Sequence, residues 1–233
     1  MSVKKIYQFY AELEDFKPKI WRRFQTADNV TAAELGYIVM TMYEMEASHL
    51  LAVEHERSFF TPSGRLSRRT ELICRYDIPD EFGDLKEWSG KDATATQLSA
   101  LNLEAPYQLV VRYDFGDDWR VILKLEKIFE GEELPGVEFP RVLAGKGFGI
   151  VEDCGGIWGL EELVQSFKEK EGESYEQFRE WLGVEDFNIT AFDIEDINFR
   201  LTKIPQIYKK IYEKRISPTK KSIDLIERKY LKK

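Results

Sequence analysis

The chain has 233 residues and a net charge of −8, with 43% hydrophobic and 13% aromatic side chains, so it carries enough apolar material for a large buried core and a disordered chain is excluded. No run of eighteen apolar residues occurs, which excludes a membrane-spanning helix, and the opening MSVKKIYQFYAELED alternates where a signal peptide needs a continuous apolar block. Cys74 and Cys154, eighty positions apart, form no disulfide framework and fit reduced thiols in the cytoplasm.

In chain order, Tyr7, Phe9, Ala11 and Leu13 alternate with Ile6, Gln8, Tyr10 and Glu12, a period of two that predicts a strand. Asp15 to Pro18 supplies a turn, and Ile20 to Gln25 reads as the return strand. TAAE at 31–34 is a capping-box pattern ahead of Leu35, Ile38, Val39 and Met42, an amphipathic helix. His49 to His55 reads as a short strand. Residues 61–92 are irregular, with one strand at Leu72 to Tyr76; Asp92 then caps a brief helix that Pro106 stops. Tyr107 to Phe115 and Trp119 to Phe129 are strong strands, and residues 131–156, rich in Gly and Pro, a structured loop. Helices follow over Trp158 to Lys170 and Ser174 to Leu182, the second with a Ser174–Gln177 capping box and Gly183 as its stop. A third begins near Asp193, and beyond Pro205 two basic helical segments break at Ser217-Pro218.

Charge divides this chain. From Lys203 to Lys233 eleven Lys or Arg face three acidic residues, a balance of +8, which leaves −16 on the other 202 residues. The acidic body is not built to attract phosphate backbones; the arm has the charge to do so, or to dock on the body.

The segment YDFGDDW, Tyr113 to Trp119, joins the two strongest strands. An odd-length turn keeps the apolar residues of both strands on one face, whereas an even turn would flip one set to the other side. The expected pairs are Phe115 with Trp119, Tyr113 with Val121 and Val111 with Leu123, with Asp114 facing Arg120 and Gly116 supplying positive φ. Asp114, Asp117 and Asp118 read either as turn chemistry or as carboxylates for a hard cation. In VEDCGG, Glu152 to Gly156, paired glycines precede a helix, and a thiol there is either buried structure or a nucleophile of lowered pKa. The stretch Phe139 to Gly147 carries Arg141 and Lys146 among glycines but lacks the spacing of a phosphate-binding loop. His49 and His55, six apart, have no third ligand at metal-binding spacing, so neither a metal nor a cofactor is expected.

Three blocks in fixed order, PKIWRRF at 18–24, YDFGDDW at 113–119 and FPRVLAGKG through VEDCGG at 139–156, resemble the plasmid pRiA4b ORF-3-like family, also met under labels from mobile elements. HLL at 49–51 and FDIEDIN at 192–198 support the resemblance, which covers roughly residues 4–204. It implies an α+β domain, a sheet of hairpins packed with helices, of undetermined activity. The arm from 205 lies outside it. The motif positions it marks are Trp21, Arg22, Tyr113, Asp114, Phe115, Gly116, Asp117, Trp119, Pro140, Arg141, Gly145, Glu152, Asp153, Cys154, Gly155 and Gly156. Family members often carry a cysteine where Val142 stands and a histidine where Arg120 stands, so roles through those groups are absent here.

With no complete catalytic constellation, the sequence points to a non-catalytic binding or adaptor protein with a protein partner and no membrane. Two alternatives stay open: a nucleic-acid accessory protein of mobile elements acting through Lys203 to Lys233, and a metal-assisted hydrolase using the acidic loops.

Overall fold

The computed structural model describes residues 5–60, 63, 66–76, 91–105, 107–134 and 136–228, with the side chains of 55–60 and 66–76 outside the description. The fold is α+β. In chain order its elements are β1 (Lys5–Leu13), β2 (Trp21–Ala27), α1 (Ala32–Met42), β3 (Leu51–Phe60), β4 (Leu66–Tyr76), β5 (Lys91–Asp92), β6 (Tyr107–Tyr113), β7 (Trp119–Glu130), β8 (Arg141–Lys146), α2 (Gly156–Glu169), α3 (Glu173–Leu182), α4 (Ile194–Leu201), α5 (Ile204–Lys214) and α6 (Lys220–Ile226). Among the described residues the strands form one sheet in the order β5-β4-β3-β6-β7-β1-β2-β8. Neighbours are antiparallel except β4 and β5. No described helix is long and apolar enough to cross a membrane.

The alternating opening becomes β1, held between β2 and β7. Its Phe9 is fully buried and stacks on Phe24 of β2 with ring centroids 5.5 Å apart. The capping box forms as written: Thr31 Oγ1 accepts from the Glu34 amide, and Glu34 Oε2 accepts from the Thr31 amide. The helix it starts is buried nearly all round rather than amphipathic. Its ten buried positions carry no charge, so α5 can cover it at little desolvation cost. Tyr37 stacks on Tyr212 of α5 (5.5 Å), and Lys209 of α5 reaches the carboxylate of Glu34 at 2.7 Å.

The basic arm therefore lies against the body. Ile204, Tyr208, Tyr212 and Ile226 join the same apolar cluster as Phe9 and Trp119. A buried charge network holds its last described residue: Arg228 meets Glu44 at 2.9 Å and Asp196 at 3.0 Å, beside Arg200, 1% exposed, which meets Glu44 at 2.6 Å.

Several local expectations change. His49 precedes β3 instead of lying on it, because the strand starts at Leu51, where pairing with Tyr113 begins. The single strand expected at 72–76 is the end of the longer β4. Asp92 caps a turn, accepting from the amide and hydroxyl of Thr94, and the short helix after it is 3-10 over Leu98–Leu101. Pro106, its expected stop, lies outside the described residues. The Ser174–Gln177 box does not form: α3 starts one residue earlier, Ser174 bonds Glu162, and Gln177 bonds Glu173. Gly183 does end α3, in the left-handed conformation.

The largest change is β8. Within residues 131–156, read as a structured loop, Arg141–Lys146 form a strand that pairs with β2 along its edge. Arg141 is used by Gln25 (2.8 Å), and Gly145 lies so close to Phe192 that an added Cβ would come within 2.6 Å of its ring.

Candidate functional site

Residues 43–50, between α1 and β3, are fixed from several sides. The Tyr208 hydroxyl donates to the carbonyl of Met45, and the Tyr212 hydroxyl donates to that of His49 (2.7 Å). The Ser48 amide donates to the Tyr113 hydroxyl (3.1 Å), the Asp114 amide to Leu50 O (3.0 Å), and the Ile150 amide to Tyr43 O (3.0 Å). Tyr208 and Tyr212 come from the arm, so it orients the histidine that this segment presents.

The β6–β7 connection is odd in length, as parity requires, but five residues long rather than three. Tyr113 pairs with Trp119, Val111 with Val121 and Leu109 with Leu123, and all six are fully buried. The expected pairs Phe115–Trp119 and Asp114–Arg120 are therefore not made. Arg120 instead faces Arg112 across the ladder and bonds Glu14, while Arg112 reaches Asp118 and lies over the Phe115 ring. Asp114, which the expected register places in the ladder with β7, instead gives its amide to the Leu50 carbonyl. Asp114 and Asp118 take the left-handed conformation, while Gly116 does not. Asp114 Oδ1 accepts from the Gly116 amide, which leaves Oδ2 to face His49.

The other wall is the loop after β8. Arg22 of β2, fully buried, donates to the carbonyls of Trp21, Lys146, Gly147 and Phe148 at 2.7–2.9 Å, and its guanidinium lies between the Tyr43 and Phe192 rings. PKIWRRF is thus the staple that aims this loop. Trp21 itself stacks on Tyr10, and Pro140 follows a cis bond at the entry to β8. Gly155 and Gly156 both have positive φ, and a Cβ at Gly156 would come within 2.6 Å of the Asp117 carbonyl oxygen. The two motif loops therefore touch at Gly156.

Around His49 they deliver three carboxylates. Nε2 lies 3.6 Å from Asp114 Oδ2, 3.5 Å from Glu152 Oε2 and 3.4 Å from Asp153 Oδ1. These distances exceed the usual 2.7–3.2 Å of an N–H···O bond. They match the edge, about 3.4 Å, of a tetrahedron of N and O ligands with bonds of about 2.1 Å. Ligand atoms of His49, Glu152 and Asp153 all lie within 4.8 Å of one another. Three carboxylates face one imidazole, so the cluster is electrostatically short of positive charge.

Glu152 is the pivotal group. Its side chain is only 10% exposed. Oε1 accepts from the Glu46 amide (2.6 Å) and the Tyr113 hydroxyl (2.8 Å), whereas buried Oε2 has no hydrogen-bond partner. Burial raises the Glu152 carboxyl above its ordinary value, against the opposing pull of those bonds and of His49. Burial likewise raises the Tyr113 phenol, so it stays a donor. Asp117 also has a buried oxygen, Oδ2, with no hydrogen-bond partner. Asp153, by contrast, is 72% exposed and opens the cluster to solvent.

Cys154 is a free, half-buried thiol, pushed up to about 12 by burial and then by Asp117. A thiol raised in this way is the opposite of what an activated nucleophile needs. Trp119 is core. The side chains of His55 and Cys74 lie outside the described residues. The convergence of the acidic motifs on His49 was missed in the sequence because its partners are 65 and more positions away. The only available signal was that both acidic motifs and a histidine recur among the blocks of the resemblance.

Comparison with known proteins agrees with this frame. The model of the family described as plasmid pRiA4b ORF-3-like protein matches residues 5–196, which include every residue of the cluster and exclude α5 and α6. A protein of unknown function from Methanosarcina mazei Go1, MM3350, has a crystal structure similar at TM-score 0.65 and 31% identity, covering 83% of this chain and 97% of that one. The uncharacterized protein y4hQ of Sinorhizobium fredii is 29% identical over 126 residues, 53% of this chain, and the match spans 61% of that relative's length. The chain belongs to the plasmid pRiA4b ORF-3-like protein family.

Proposed function

We propose that this chain is a binding domain whose ligand site is built on a divalent transition-metal ion held by His49 Nε2 and the carboxylates of Glu152 and Asp153, with Asp114 facing the imidazole beside them. The observation that carries the reading is Glu152 Oε2, buried, without a hydrogen-bond partner, and 3.5 Å from His49 Nε2. A buried, unsatisfied carboxylate oxygen beside two further carboxylates is costly unless a cation faces it. One imidazole with carboxylates suits Zn²⁺, Mn²⁺ or Fe²⁺ better than Ca²⁺ or Mg²⁺, which favour oxygen alone. Tyr113, the Glu46 amide and Tyr212 supply the supporting contacts that orient such ligands.

Metal-assisted hydrolysis is a second reading, favoured by the exposure of Asp153 and the 30% exposure of His49. That open side leaves coordination positions for water, as catalytic sites do. Nucleic-acid binding through the arm draws less support: Lys209 and Arg228 are engaged by Glu34 and Glu44, and Tyr208 and Tyr212 are buried.

The test is thermal unfolding of the purified, chelator-treated chain against Zn²⁺, Mn²⁺, Fe²⁺, Mg²⁺ and Ca²⁺. A metal at a hundred times its Kd stabilises the folded state by about 2.7 kcal/mol. The stabilisation is expected with the transition metals and lost in His49→Ala. A flat response across all five ions overturns the reading.

A further inference from the structure

The most exposed large apolar side chain among the described residues is Trp158 of α2, 83% exposed, and Trp181 of α3 is 49% exposed. Leu160, Leu163, Val164 and Phe167 form the buried face of α2, and helical periodicity points Trp158 away from it. Leu182, the last residue of α3, lines one cavity with Val151 and Glu152, so the end of α3 lies beside the start of α2. Trp158 precedes Glu162 by one turn, while Ser174, Phe178 and Trp181 follow one side of α3 at spacings of four and three. The Ser174 hydroxyl donates to Glu162 at 2.8 Å, which sets the two rows side by side, and the Phe178 and Trp181 rings lie 6.2 Å apart. Both indoles therefore border the seam between the two helices. Aromatic side chains gathered on a surface mark contact sites, where tryptophan is enriched.

The charge around this seam is one-sided even after its ion pairs are set aside. Between Gly156 and Asp186, nine carboxylates stand with three cations. Arg179 is spent on Glu176 and Glu185, and Lys170 on Asp186. Lys168 is left with Glu161, Glu162, Glu169, Glu171, Glu173 and Glu180. Glu162, Glu169 and Glu173 accept hydrogen bonds from the neutral side chains of Ser174, Gln165 and Gln177, which leave their charge in place. Glu161 and Glu162 stand three and four positions after Trp158, on its side of α2.

A nucleic acid or an anionic membrane is repelled by these carboxylates, and a second copy set face to face would oppose them to themselves. We infer that the α2–α3 seam docks an arginine-bearing segment of a basic protein. A guanidinium pairs with carboxylates and stacks over an indole, the two surfaces that meet here. Charge complementarity selects the occupant. The inference is independent of the metal reading, since no ligand of the metal site lies on this face.

The experiment is calorimetric titration of the full chain, at about 50 mM salt, with three capped peptides that alternate leucine with arginine, glutamine or glutamate. The arginine peptide is expected to bind about tenfold or more tightly than the glutamine one, and severalfold more weakly at about 300 mM salt, with no detectable binding of the glutamate one. Trp158→Ala should weaken arginine-peptide binding at least about tenfold with an unchanged unfolding temperature, since the indole is 83% exposed. Glu161→Gln combined with Glu162→Gln should weaken it severalfold, because glutamine keeps an acceptor for Ser174 while the charge goes. His49→Ala should bind the peptide as the parent does, which separates failure of this inference from failure of the metal reading. No binding of the arginine peptide, equal binding of the glutamine peptide, or binding unchanged by Trp158→Ala each overturns the inference. So does self-association of the chain that Trp158→Ala abolishes, which would make the seam an interface between copies.

Discussion

Two clusters of charge lie on either side of the 43–50 segment, and they are built on opposite terms. In one, Glu44 and Asp196 face Arg200 and Arg228, so each carboxylate has a guanidinium within 3.0 Å. In the other, Asp114, Glu152 and Asp153 face the single imidazole of His49 at 3.4–3.6 Å. In the first every carboxylate meets a guanidinium, although Arg228 Nε has no hydrogen-bond partner, and the cluster joins α4 and the arm to the loop after α1. The second is short of positive charge and keeps a buried oxygen unpartnered. Burial alone does not distinguish a structural charge network from a site; whether the protein answers its own charges does.

The sharpest way to break this comparison is to unbalance the complete cluster. Arg200→Met leaves Glu44, 8% exposed, with half of its partners and is expected to cost about 3–5 kcal/mol in denaturant unfolding. A loss under 1 kcal/mol would mean that this network is no more structural than its neighbour. Glu152→Gln should act in the other direction. Gln keeps an oxygen for the Glu46 amide and Tyr113 but removes a negative charge from beside two others. The metal-free chain is expected to gain up to about 1 kcal/mol at neutral pH, because each unit of a raised carboxyl value is a stability cost of the ionised form, while the response to Zn²⁺ or Mn²⁺ disappears.

Tyr212→Phe tests whether the arm serves the site. It deletes the hydrogen bond to the His49 carbonyl and is expected to cost about 1 kcal/mol. Metal affinity should fall about tenfold as well, the usual consequence of losing a supporting contact. A stability loss with unchanged affinity would make the arm purely structural. The smallest effect is at Glu126, paired with Arg23 at 2.7 Å on the open face of the sheet. The hydrogen bond from Arg23 holds this carboxyl below its ordinary value. Because the folded value is lowered, its contribution is present above the ordinary value near pH 4.3 and fades as pH falls through the lowered one. Glu126→Gln should therefore lose a few tenths of a kcal/mol at neutral pH, and in acid-titrated unfolding the difference should begin to shrink below about pH 4 and fade as pH falls through the lowered value.

Much of the frame was legible because its causes are local. TAAE at 31–34 writes a capping box within four residues, and it forms. The alternation in Tyr107 to Phe129 assigned the buried face correctly, since period two and burial are one statement. The register was missed by two residues, Tyr113 facing Trp119 instead of Val121, and the Asp114 amide goes instead to the carbonyl of Leu50, 64 positions earlier, a contact no local pattern records. The strand β8 was read as a loop for a similar reason. Gly and Pro describe its local preference, whereas an unpaired edge of β2, visible only in three dimensions, supplies its hydrogen bonds.

By itself the sequence determined the α+β frame, the helix starts at Thr31 and Asp193, the stop at Gly183, and the membership of two acidic motifs in one resemblance. Each of these rests on contacts within a few positions of the chain. The tertiary structure decided what those motifs are for. It brought Asp114, Glu152 and Asp153 to His49 across as many as 104 positions. It also laid a basic arm, legible only as charge, against the body as the support of that histidine. The physical reason is the same in both cases: such long-range convergence comes from burying apolar faces, and a linear pattern records which residues prefer to be buried but not which of them meet.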